Sequence, residues 1–153
     1  MNENFEMQPI EPEPSESHRI ESQPAAESRA NARPAFDMAA AMEQLGGDID
    51  LMDALVRHYL NDAPPLFEKL RASLAAGDAE RLSFAAHRVS GMARNFCAAA
   101  AAQAALNLEE KARHNDLAPA GPLLAKLERE LVLLTAALNN FTAARCAEQR
   151  PAV

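Results

Sequence analysis

Leu124, Leu127, Leu131, Leu134, Leu138 and Phe141 step by three and four residues without a break, and this stripe constrains the fold more than any other feature of the chain. Side chains at that spacing share one face of a helix, so a stripe this long and this apolar needs a partner surface to cover it. Three other segments carry the same signal. Leu82, Ala86, Val89, Ala93 and Phe96 form one stripe, and Ala101, Ala105, Leu108 and Ala112 form another in an alanine-rich run over 98–113. Leu51, Leu55, Tyr59 and Leu60 mark the buried side of a further helix, continued by Leu66, Phe67, Leu70 and Leu74 up to Gly77. Ahead of it, Phe36, Met38, Ala41, Met42 and Leu45 predict a short amphipathic helix stopped by Gly46-Gly47.

Caps and breakers divide these stripes. Asp48 or Asp50 can cap one helix, Asp78 directly after Gly77 opens the next, and Asp116 is a candidate cap within HNDLAPAGP. Pro64-Pro65 should break or kink the helix that contains them, because proline removes a donor and crowds the preceding turn. Aromatic residues make up only 5% of the chain and there is no Trp, while Ala and Leu supply most of the apolar mass. That composition favours helix over sheet. The expected fold is all-α: an antiparallel four-helix bundle with a short extra N-terminal helix.

Residues 1–35 differ in texture. They hold five of the ten prolines, and seven glutamates against three arginines. Such a segment cannot bury enough apolar surface to offset its chain entropy, so a disordered acidic tail is expected there. The bundle is expected over 36–141, with 142–153 fraying where the stripe ends. The net charge of −7 leaves no basic footprint for nucleic acid. No apolar run is long enough to cross a membrane, and the opening residues lack the pattern of a secretory signal. A cytoplasmic protein is expected. Cys97 and Cys146 suit neither a disulfide framework nor a zinc site.

One stretch does not fit a purely structural helix: FAAHRVSGMARNF, residues 84–96. His87 lies one residue off the core stripe, toward solvent, with Ser83, Phe84, Ser90 and Gly91 at three and four residues from it. A glycine inside an exposed helix costs close to about 1 kcal/mol relative to alanine, and here it clears space beside the imidazole. Neutral imidazole is a nucleophile near physiological pH. No carboxylate falls within the stretch, so neither a hydrolase triad nor an acid that orients the ring is expected. Glu110 and His114 are the one helical pairing that could suggest a metal, and they lack a third ligand. Arg88 and Arg94 instead suit an incoming anion or an acidic partner surface.

AHRVSG, residues 86–91, resembles the Ala-His-x-x-Lys-Gly signature of histidine-containing phosphotransfer (HPt) domains of two-component phosphorelays. The likeness extends to FDMAAAMEQLGGDIDLMDALVRHYL, to FEKLRASLAAGDAERLSFAAH and to ALNLEEKARHNDLAPAGPLLAKLERELVLLTAAL, covering about residues 36–141. The resemblance implies that His87 accepts a phosphoryl group from a receiver-domain aspartyl phosphate, or returns it, and that Gly91 lets the receiver close over the ring. It implies a phosphocarrier, not a turnover enzyme, and no ATP-binding glycine motif is present. The implied partners are a response-regulator receiver domain and/or a hybrid sensor histidine kinase. The carrier needs no cofactor or metal of its own, since Mg²⁺ would sit on the receiver. Docking and phosphoryl contacts would come from Ser83, Phe84, Arg88, Ser90, Gly91 and Arg94. Ser90 stands where the family usually has lysine, and Cys97 where it often has glycine. A degenerate module that binds a receiver or kinase without carrying phosphate is the alternative these departures leave open.

Overall fold

The computed structural model describes residues 33–151, which form five helices and, among the described residues, no strand. These are α1 (Met38–Gln44), α2 (Ile49–Ala75), α3 (Ala79–Asn95), α4 (Ala99–Arg113) and α5 (Ala120–Glu148). The acidic segment expected to be a tail lies, over residues 1–32, outside the described residues. From α2 onward, helices adjacent in sequence pack against each other, and α5 returns to α2, so the four long helices close a bundle around one core.

Local chemistry sets the helix ends. Asp37, Asp48 and Asp78 cap α1, α2 and α3, each accepting from backbone N–H groups of the first turn at 3.0 Å. Four helices end in the same turn. Gly46, Gly77, Cys97 and Asn115 adopt a left-handed conformation, and the next N–H bonds back to a carbonyl five residues earlier. Asp116 does not cap α5. Its carboxylate instead lies 3.6 Å from Lys111 Nζ, and α5 begins behind Pro119 with no side-chain cap.

Cys97 pays a conformational cost at its turn, with φ at 51°. A side chain in that region costs roughly 1–2 kcal/mol, which glycine avoids. Glycine returns part of this gain through unfolded-chain entropy. Cys97→Gly should therefore raise unfolding stability by about 0.5–1 kcal/mol, read as a higher urea midpoint at unchanged slope.

Burial follows the stripes closely in α3, α4 and α5. Leu124, Leu127, Leu131, Leu134 and Leu138 are all buried, as are Leu82, Ala86, Val89, Ala93 and Phe96. Alanines at Ala85, Ala86, Ala93, Ala101, Ala104 and Ala105 let α3 and α4 pack the most closely of any pair. In α2 the expected stripe is buried at Tyr59, Leu66 and Leu70, but over the first two turns the buried positions lie one residue on from Leu51 and Leu55. Met52, Val56 and Tyr59 are buried, whereas Leu51 is 44% exposed. Phe96 anchors one end of the core, edge-on to Tyr59 at 5.5 Å and to Phe36 at 6.5 Å between ring centroids. The Tyr59 hydroxyl meets Thr135 Oγ1 of α5 at 3.1 Å, and burial pushes the phenol above its ordinary range.

Two expectations about helix integrity are corrected. Pro64 and Pro65 do not break α2, which runs through both. Both rings face solvent, so water reaches the side of the helix where the two hydrogen bonds are missing, while the neighbouring Ala63 and Leu66 are buried and hold the turn. Nor does helical structure end at residue 142, since α5 continues to Glu148. Arg145 Nη2 lies 3.2 Å from Asp53 Oδ2 on α2, and both side chains are partly buried. That ion pair ties the last turns of α5 to the bundle.

Candidate functional site

Helix α3 presents His87 outward from the most closely packed pair of helices. Its imidazole side chain is 71% exposed. Contrary to the sequence reading, the ring does have an acid. Glu109, on α4, places Oε1 3.2 Å from His87 Nδ1. Glu109 is itself buried, and its Oε2 has no hydrogen-bond partner among the described residues. With Glu109 ionised, its oxygen can only accept, so this hydrogen bond puts the proton on Nδ1 and leaves Nε2 its lone pair. In that arrangement Nε2 is the ring nitrogen with a lone pair to offer.

The same Glu109 oxygen lies 3.8 Å from Arg113 Nη1, one turn further along α4. His87, Glu109 and Arg113 line one cleft of about 580 Å³ between α3 and α4, together with Ser83, Phe84 and Asn115. Glu109 and Arg113 were not among the candidates drawn from the sequence. A signal for Glu109 was present: it stands three residues before Ala112 and four after Ala105, a core register in an alanine-rich helix. A charge at such a position needs a partner. The pairing of Glu110 with His114 does not form; both side chains are exposed and make no ion pair among the described residues.

The other candidates divide by location. Phe84 is 67% exposed and forms a ridge between the His87 cleft and a larger one of about 900 Å³ on the α2 side. Arg88 lines that second cleft and a smaller groove beside Gly91, so it sits away from the α4 side of His87. Arg94 is exposed near the end of α3 and lines none of these clefts. Gly91 is exposed, and a methyl group added there would meet nothing within 4 Å. The glycine therefore leaves open surface and relieves no clash inside the chain.

Ser90 is corrected outright. It is 2% exposed, on the inner side of α3 and not on the His87 face. Its hydroxyl has no hydrogen-bond partner among the described residues. A buried unpartnered hydroxyl costs roughly 1–3 kcal/mol, so Ser90→Ala should keep or raise stability, by up to about 1 kcal/mol. Thermal unfolding of the two proteins side by side checks this; a clear loss would mean that the hydroxyl has a partner.

The Hpt domain family model matches residues 54–141, more than half of the chain and all of the His87 cleft. The chain belongs to the Hpt domain family. The crystal structure of histidine-containing phosphotransfer protein B (HptB) from Pseudomonas aeruginosa PAO1 is similar, with a TM-score of 0.66 and 28% identity. The match covers 71% of this chain and 95% of that one. No curated protein sequence matches. Hpt domains are phosphocarriers, so membership supports a histidine phosphotransfer role in two-component signalling. In this Hpt domain, no helix among the described residues is long and apolar enough to cross a membrane.

Proposed function

We propose that this Hpt domain relays a phosphoryl group between receiver-domain aspartates and Nε2 of His87. The observation that carries the reading is the 3.2 Å contact of His87 Nδ1 with Glu109 Oε1 on an exposed ring, which supports Nε2 as the nitrogen left free to react. In the forward step the Nε2 lone pair forms the P–N bond as the donor's P–O bond breaks. The electron pair of that bond stays on the donor's carboxylate oxygen. The ring then carries a positive charge with its proton still on Nδ1, and the Glu109 carboxylate faces that charge. Phosphoryl transfer depends mainly on positioning and charge stabilisation, so a carrier with this much machinery suffices. The receiver would bring its aspartate and Mg²⁺; Phe84 and the open surface at Gly91 would receive its active-site face. A receiver domain or a hybrid sensor histidine kinase is the partner class that fits.

The test is to charge receiver domains from the same cell with acetyl phosphate, add the full chain, and follow label into it. Acid-labile, alkali-stable label on the chain is the expected result. Tight receiver binding with no label from any receiver would overturn the relay reading in favour of a module that docks without carrying phosphate.

A further inference from the structure

We infer that Arg113 is the cation that holds the phosphoryl group in this protein, released to it by Glu109 when His87 is charged; this rests on His87 being the acceptor. A phosphoryl group brings about −1.5 to −2 charge and three acceptor oxygens. Some group in the cleft must meet that charge. Ser90 cannot, being buried and uncharged. Arg88 lines the clefts on the α2 side, and Arg94 lines none of them. Arg113 is the sole lysine or arginine among the residues lining the cleft that contains His87.

Its tether suits a handover. Arg113 Nη1 and His87 Nδ1 converge on one oxygen, Glu109 Oε1, at 3.8 and 3.2 Å. The arginine contact is thus the looser of the two, and its side chain is 69% exposed against 11% for Glu109. The carboxylate is fixed and the guanidinium is free to swing. Before transfer, one carboxylate charge faces Arg113 and a neutral ring. After transfer, the ring itself is positive and satisfies Glu109 through Nδ1–H. The phosphoryl oxygens then offer Arg113 a second, stronger anion, one whose geometry allows two parallel N–H···O bonds.

The experiment compares wild type, Arg113→Ala and Arg113→Lys as full chains against one receiver that labels the wild type. Arg113→Ala should slow transfer to the carrier roughly tenfold or more and shift the phosphoryl equilibrium toward the receiver by a similar factor, as loss of a hydrogen bond to a charged group predicts. Arg113→Lys should recover part of both effects. Receiver affinity, and the His87 tautomer read by ¹⁵N NMR, should not change in either variant. Wild-type rate and equilibrium in Arg113→Ala would overturn the inference, as would a slowed variant whose tautomer has changed, because Arg113 would then act only through Glu109. A wild type that takes label nowhere, or takes it elsewhere than His87, would overturn the relay reading as well, so the two failures are told apart.

Discussion

His87→Gln should abolish phosphoryl acceptance, lowering label to background, a fall on the order of a thousandfold or more, while leaving the fold intact. Removal of a nucleophile is not compensated by the groups around it, since they act only through it. Glutamine is the informative replacement. Its amide can donate to Glu109 much as Nδ1–H does, so the buried carboxylate is not left alone. The side chain is mostly exposed, so the change in stability should stay within about 1 kcal/mol. Receiver binding, measured by calorimetry, should be retained, because Phe84 and Gly91 are untouched. Label persisting at wild-type level in this variant would move the acceptor to another residue.

Phe96→Ala carries the largest expected effect on folding. Phe96 is 2% exposed and packs edge-on against both Phe36 and Tyr59, joining the start of the described chain, α2 and the end of α3. Truncating a buried phenylalanine costs about 3–5 kcal/mol through lost transfer energy and the remaining cavity. Each aromatic pair adds roughly 0.5–1.5 kcal/mol to what the ring's area contributes. Against a total stability of about 5–15 kcal/mol, the variant should unfold at a far lower urea midpoint. At low temperature, where it remains folded, transfer through His87 should stay within a few-fold of wild type, because the lost ring lies away from the cleft. A loss under about 1 kcal/mol would mean that the neighbouring rings refill the space.

The sequence was most legible where a single apolar face existed. The stripe of α3 and the five leucines of the α5 stripe are buried as their period implies, with Phe141 partly buried, because leucine at three- and four-residue spacing admits one register. Helix α2 admits two, since apolar residues stand in adjacent pairs at 51/52, 55/56 and 59/60, and tertiary packing chose between them. The exposure of His87 was readable from its offset to the stripe. The burial of Ser90 was not, although it lies about 40° around the helix from buried Ala86 and about 60° from His87. Spacing from the histidine alone put it on the wrong side. Glu109 escaped for a different reason. Its partner is on another helix, and only the turn at Cys97 and the packing of α3 on α4 bring the two side chains together.

The alanine seam between α3 and α4 has a chemical consequence as well as a packing one. His87 stands on one of these helices and Glu109 on the other, so the spacing of the two helices bears on the 3.2 Å contact between their side chains. Alanine has no side-chain rotamers to adjust, so the seam has few ways to repack. The seam therefore holds in place the two helices that carry this contact. A substitution at one of these core positions would be felt by an imidazole exposed at the surface.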